Sequence, residues 1–315
     1  MHPAIQGGGV AVITGSASGI GFAAARTFAS KGLHIVMADL PTDLASAAQS
    51  IKKDFPDVKV VPVETNVSQF SALESLKKKV DSEFEGKDVG VLMFNAGTSA
   101  PTVPFAREGL DQAALRANYE KILNTNMWGI INGVQAFLPD LVKQTSPSAV
   151  ICTGSKQVHL SRQEIELTMI RESQIPPGIR HTTSPRQQSG SSRSPWLTIS
   201  GRIIPSLLLQ STSLFRAGFI LYLSVPHLLL IFKGLTRGHH AEKPPGAWTP
   251  EECVDQLVKG LDAGDFYILC EDNEVKRWQD EKRMQWNVDD VIKNRSALSR
   301  WDEKYKDDFD TFMKQ

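Results

Sequence analysis

Thr14-Gly15-Ser16-Ala17-Ser18-Gly19-Ile20-Gly21 is the stretch of this chain whose residue types and spacing most directly imply chemistry. It follows an apolar run that begins at Val10 and leads into a helical pattern from Ile20. Gly15 permits a tight turn, Gly19 lets the backbone approach a bound group, and Gly21 allows a helix to pack close to a strand. A helix starting here directs free N–H groups and its positive dipole end at an anion. The expected ligand is a dinucleotide pyrophosphate, contacted by Gly15, Ser16, Ser18, Gly19, Ile20 and Gly21.

A second chemical residue stands eighteen positions after Gly21. Asp39, followed by Leu40, ends a predicted strand, where a carboxylate accepts hydrogen bonds from both ribose hydroxyls and repels a 2′-phosphate. No Arg or Lys stands ready to receive that phosphate: Ala38 and Leu40 flank Asp39, and Ala17 lies in the glycine loop. NAD(H) is therefore expected rather than NADP(H).

These residues need a parallel sheet covered by helices to hold them. Over residues 10–150 short apolar runs alternate with amphipathic stretches in that manner. Strands are predicted at 10–14, 34–38, 58–63, 89–94 and 149–153, helices at 20–31, 44–54 and 70–84, and a long helical region at 108–144. The fold class is α/β, a single domain on a Rossmann-type doubly wound parallel sheet. Further on, Thr249, Pro250 and Glu252 have the layout of a capping box ahead of a helix at 254–261. Another strand is predicted at 265–270, and residues 274–315 read as a charged helical tail. Trp278, Trp286 and Trp301 are expected to pack that tail rather than to form a lid.

Composition narrows the function classes. The 315 residues are 41% hydrophobic and 22% charged, enough for a sizeable buried core. A formal net charge of zero removes the electrostatic case for a nucleic-acid partner. Cys152, Cys253 and Cys270 fit neither a disulfide framework nor a zinc site, so no metal is expected and a cytoplasmic setting fits best. The first nine residues lack the layout of a signal peptide.

Asn95-Ala96-Gly97 follows the fourth predicted strand. Together with the spacing of the glycine loop, this turn resembles the short-chain dehydrogenase/reductase family. The resemblance runs through residues 10–157 and resumes after about Gly234. It implies that Asn95, Ala96 and Gly97 support the sheet and border the adenine ribose, and that Asn66 and Val67 contact the adenine. The family usually has Asp where Asn66 stands; Asn66 keeps a side-chain acceptor. Asn126 matches the helix Asn that holds a water in the family's proton relay, and Ser155 matches the Ser that hydrogen-bonds the substrate carbonyl. The implied activity is NAD(H)-dependent oxidoreduction of a secondary alcohol or ketone, in a homo-oligomer.

The family also needs a Tyr as general acid/base and a Lys four residues later that lowers its pKa. Tyr119, Tyr222, Tyr267 and Tyr305 are the only tyrosines, and none has Lys four positions on. A catalytically inactive nucleotide-binding protein is therefore the alternative. From 158 to 233 the periodic pattern fails, which divides the chain into a nucleotide half (1–157), a non-family insert expected to order poorly (158–233) and a C-terminal strand and tail (234–315). This also weakens the homo-oligomer expectation, because the resemblance places in this stretch the catalytic helix that often builds the family's dimer interface. Residues 217–232 are sixteen positions without a charge. A membrane span needs about 20 apolar residues, and Pro226 and His227 interrupt the run, so a membrane-anchored reductase is only a second alternative.

The genetic code offers an origin for the insert. In a shifted frame, residues 171–190 admit G-I-T-N-P-P-G-H-P-A-Y-N-V-S-K-A-A-V-R, which contains the missing Tyr-x-x-x-Lys. Joined directly to Gln157, its Tyr falls thirteen residues after Ser155, the family's spacing. Val158 supplies GT and Arg171 can supply AG, so the hypothesis is a retained intron, with a second, pyrimidine-rich one ending near Lys233. Sequencing the spliced transcript and finding these bases retained as coding would sink it. On this hypothesis the chain as written is unstable or binds nucleotide without turnover.

Overall fold

The computed structural model describes residues 1–100, 109, 111–155, 228–233, 247–271, 274–296 and 299–315. The expectations for 158–227 and 234–246, including most of the insert and of the uncharged run, lie outside them. Among the described residues the strands form one parallel seven-stranded sheet in the order β3-β2-β1-β4-β5-β6-β7. These are β1 (Val10–Thr14), β2 (His34–Asp39), β3 (Val60–Glu64), β4 (Val89–Phe94), β5 (Ala149–Ser155), β6 (Leu228–Lys233) and β7 (Tyr267–Leu269). The order reverses between β1 and β4, and a doubly wound sheet opens a crevice at that point, outside the strands' C-terminal ends.

Alternation along each strand explains why both faces are apolar. In β1, Ala11 and Ile13 enter one core while Val10 and Val12 enter the other. In β2, Ile35 and Met37 divide from Val36 and Ala38 in the same way. Period-two side chains buried on both sides are the signature of a sheet covered by helices on both faces. The first face packs α1 (Gly19–Ser30) and α2 (Pro41–Asp54), with α6 (Pro250–Ala263) added through Val254, Leu257 and Leu261. The second packs α3 (Phe70–Glu83) and α5 (Gly129–Leu141) through Leu73, Leu76 and Phe137. Phe28 is fully buried in the first core, a burial that contributes about 2–3 kcal/mol.

Several boundaries differ from those predicted, each for a local reason. Val58 donates to the Phe55 carbonyl in a turn, so β3 starts at Val60. Pro62 sits in β3, an edge strand, where its missing N–H breaks no ladder. The predicted helical region is divided into α4 (Gln112–Leu123), a π-helical turn (Asn124–Trp128) and α5. Leu228–Lys233, placed by the sequence at the end of the insert, is a strand between β5 and β7. An apolar run without charge suits a strand in the interior of a parallel sheet. The capping box forms as predicted: the Glu252 N–H donates to Thr249 Oγ1 at 3.1 Å, and the Thr249 N–H donates to Glu252 Oε2 at 2.6 Å. The N-terminal segment is part of the core, with Ala4 and Ile5 buried and the Ala4 carbonyl beneath Gly90.

The tail comprises α7 (Arg277–Ile292), two 3₁₀ turns and α8 (Lys306–Lys314). Trp286 is its centre, 3% exposed and close to the rings of Phe309 and Phe312. Trp286 therefore packs, as predicted, whereas Trp278 is half exposed.

Candidate functional site: a nucleotide crevice

The glycine loop adopts the backbone its residue types anticipate. Gly15 and Gly19 have φ values of 66° and 55°, the left-handed region that favours glycine. At Gly21 a Cβ would lie 2.0 Å from the Gly15 carbonyl oxygen and 2.7 Å from Asn95 Nδ2. At Gly15 a Cβ would lie 2.7 Å from the Ala96 Cα. At Gly19 it would meet nothing within 4 Å, so that glycine faces open space. Ser18 precedes α1 in extended conformation and its side chain caps none of the helix's first N–H groups. The first turn therefore keeps donors available to an anion. Ser16 is buried and its hydroxyl reaches the Ala38 carbonyl at 3.5 Å, while Ile20 anchors the helix in the core.

Asp39 closes the second side. Its Oδ2 accepts from the Ala17 N–H at 2.8 Å and its Oδ1 from the Leu40 N–H at 2.7 Å. The carboxylate is thereby fixed between the glycine loop and the end of β2, with the exposed side chain of Leu40 next to it. The Asp39 carbonyl accepts from the Thr65 N–H at 2.8 Å and carries the edge on toward Asn66 and Val67. Asn66 Oδ1 accepts from the Ser68 N–H and hydroxyl, at 3.1 and 2.7 Å, in an Asx turn. Val67 lies against Gly129, where a Cβ would come within 2.8 Å of Val67 Cγ2, and its carbonyl accepts from Asn132 Nδ2 at 3.0 Å.

Asn95 ties the third side together. Its Nδ2 donates to the Gly15 carbonyl at 3.0 Å, and its Oδ1 accepts from the Thr153 hydroxyl at 3.2 Å. Thr14 Oγ1 accepts from the Asn95 and Ala96 N–H groups at 3.0 and 3.2 Å. The turns after β1 and β4 and the end of β5 thus form one hydrogen-bonded unit. Thr14 and Thr153 carry it and were not singled out from the sequence, although Thr14 opens the motif.

Asn126 lies in the π-helical turn, a distortion frequent at functional sites. Its Oδ1 accepts from the Thr98 N–H at 2.7 Å and its Nδ2 donates to the Thr98 carbonyl at 2.9 Å. At Gly97 a Cβ would lie 3.6 Å from Asn126 Oδ1, an ordinary contact, so the pairing does not depend on this glycine. Ser155 is the last residue of β5, paired in register with Lys233. The structure therefore assembles the glycine loop, Asp39, Asn66, Val67, the Asn95–Gly97 turn and Asn126 around the C-terminal ends of β1, β2 and β4. Cys152, beneath them, is fully buried, and burial pushes its thiol up to about 12, which makes it no nucleophile at neutral pH. Tyr267 begins β7, at the opposite edge of the sheet, and Tyr305 lies in the tail.

Sheet order, loop and switch-point crevice define a nucleotide-binding α/β protein. The family model described as short chain dehydrogenase matches residues 9–166, and the chain belongs to that family. It is 31% identical over 149 residues to a 1-deoxy-11-beta-hydroxypentalenate dehydrogenase of Streptomyces avermitilis, covering 46% of this chain and 51% of that protein. It is 31% identical over 153 residues to an (S)-acetoin-forming diacetyl reductase of Staphylococcus epidermidis, covering 48% and 55%. The chain thus spans about half the length of the curated relatives it matches. A short chain dehydrogenase/reductase from Burkholderia phymatum, solved in complex with NAD, shares the fold with a TM-score of 0.61 at 16% identity, over 93% of this chain and 97% of that one. Among the described residues no helix is long and apolar enough to cross a membrane, and no three His, Cys, Asp or Glu side chains are grouped to hold a metal. Leu228–Phe232 of the uncharged run is strand, not helix.

Proposed function

We propose that this chain binds NAD(H) in the crevice and that its site is that of an oxidoreductase of secondary alcohols or ketones. The observation that carries the cofactor assignment is Asp39, held by two backbone N–H groups at the ribose end with no cation among the residues flanking it. The residues present fit the cofactor: Gly19 faces open space, the first turn of α1 offers free donors, and Asp39 offers an oriented acceptor. When bound, the nicotinamide supplies hydride chemistry. The chain's own residues do the rest. The glycine loop holds phosphate through its N–H groups, Asp39 accepts from the ribose hydroxyls, and Asn66 and Val67 flank the adenine. Asn95 keeps the loop and the Ala96–Gly97 turn in register, Asn126 holds the turn through Thr98, and Ser155 hydrogen-bonds the substrate oxygen. The diacetyl reductase among the relatives supports a carbonyl substrate.

A second reading is favoured by the missing Tyr-x-x-x-Lys: the chain as written binds nucleotide without turnover. Titration with NAD⁺ and NADP⁺, followed by assay with secondary alcohols, tests both. We expect NAD⁺ to bind at least tenfold more tightly than NADP⁺, a difference of about 1.4 kcal/mol, and Asp39→Ser to erase the preference. Tighter NADP⁺ binding would overturn the cofactor assignment. Turnover at rates ordinary for enzymes, about 10 s⁻¹, would overturn the second reading.

A further inference from the structure

We propose that His34 is a proton-operated latch on the edge strand β3, closed while its imidazole is neutral and opened by acid. Where β2 and β3 begin, a side chain continues the ladder between them. The Ile35 N–H donates to the Lys59 carbonyl at 2.8 Å, and Ile35 and Val60 are the first residues in register. The Lys59 N–H, one step nearer the start, donates instead to the His34 ring, 3.0 Å from Nδ1. A neutral imidazole with Nδ1 as acceptor carries its proton on Nε2. Stacking on Phe84 holds the ring in place, with 5.7 Å between centroids and 23° between planes. Among the described residues β3 has β2 as its only neighbour in the sheet, so its start is held from one side alone.

Protonation turns Nδ1 from acceptor into donor, and it then faces the Lys59 N–H with no lone pair to offer. The new charge also stands among cations. Lys59 comes from the segment ahead of β3 and Lys87 from the turn ahead of β4, and both act on the ring. The acids of those two segments, Asp57 and Asp88, do not offset them. α3 brings Glu83 to the same corner, but Lys59 and Lys79 occupy that carboxylate, each at 2.6 Å. On the β1 side the uncharged Gly9 carbonyl accepts from the His34 N–H at 2.9 Å. Burial first, then Lys87 and Lys59, hold the imidazole below its ordinary 6.5. The folded protein thus keeps the ring neutral to lower pH than the unfolded chain does. The latch contributes fully above 6.5, and its contribution is lost as pH falls through the lower value of the folded state. His34 begins β2 and Asp39 ends it, so the latch works at the end of the sheet away from the crevice.

Amide hydrogen exchange and side-chain NMR of the isotope-labelled full chain test the latch. At about pH 7.5 the His34 nitrogens should show the Nε2–H tautomer, and the titration midpoint should lie below 6.5. Protection of the Lys59 amide, corrected for intrinsic exchange, should fall about fivefold between about pH 7.5 and about pH 5, the loss of one ordinary hydrogen bond. His34→Asn, whose Oδ1 can stand where Nδ1 does and does not titrate, should keep the protection and flatten its pH dependence. His34→Phe keeps a ring against Phe84 but removes the acceptor, and should show the lowered protection at both pH values. Lys59 protection indifferent to pH in the unsubstituted chain, a His34 midpoint at or above 6.5, or an unchanged pH response in His34→Asn overturns the proposal.

Discussion

The nucleotide half and the C-terminal tail solve the problem of polar side chains in opposite ways. In the first, the cores are apolar and the polar residues stand at the sheet's C-terminal edge, tying one loop to another. Asn95, Thr14 and Asn126 bond mainly to backbone, which orients the turns that face the crevice. In the tail, polar groups are the core. Asp290 is 4% exposed; its Oδ1 accepts from the Ser299 hydroxyl at 2.5 Å, and Ser299 in turn accepts from Trp286 Nε1 at 2.8 Å. Arg295 covers the Trp286 ring at 3.7 Å and lies 3.0 Å from Asp290. Apolar Val288, Val291 and Ile292 face outward. Polar residues aimed outward from an apolar core can bind something; polar residues turned inward hold one another and the Trp286 ring they enclose.

That contrast can be broken by substitution. Phe28→Ala should cost about 4 kcal/mol by emptying the first core, read as a shift in urea midpoint. Asp290→Ala should cost roughly 3 kcal/mol by leaving Arg295 without its partner, whereas Val291→Ala in the same helix should stay within about 0.5 kcal/mol. Equal losses for Asp290 and Val291 would remove the distinction. Gly21→Ala should cost about 2 kcal/mol, because its Cβ meets backbone that cannot yield, and should lower NAD⁺ affinity with it.

The smallest effect concerns acid. Hydrogen bonds from Lys59 and Lys79 hold Glu83 down to about 2, from an ordinary 4.5. A lowered carboxylate stabilises the fold above its unfolded pKa and loses that contribution as pH falls from about 4.5 toward 2. Urea midpoints measured from pH 6 to 3 should fall less steeply in Glu83→Gln. Asp289, held below the usual carboxylate range first by Lys293 and then by Gln285, should add a slope of the same sign in the tail.

The nucleotide half was legible because its signals are local. Period-two apolar runs, Gly15 and Gly21, Asp39 at a strand end and the Thr249–Glu252 box each declare themselves within a few residues. The rest depends on partners distant in sequence. The π-helical turn around Asn126 is a matter of which carbonyl each N–H chooses, and residue type does not record that choice. Thr153 becomes part of the site only because β5 lies beside β4. Leu228–Lys233 reads as the end of an apolar run until β5 and β7 are placed on either side of it. Asp290, Arg295 and Ser299 look like ordinary surface residues of a charged helix and its following turn.

The two backbone bonds to Asp39 also fix its remaining capacity. A carboxylate has about four acceptor sites, and the N–H groups of Ala17 and Leu40 occupy two. Two remain, and under the proposed function they are the ones offered to the ribose hydroxyls. Under the proposed function, a ribose can therefore engage Asp39 while both bonds to the glycine loop and to Leu40 stay intact.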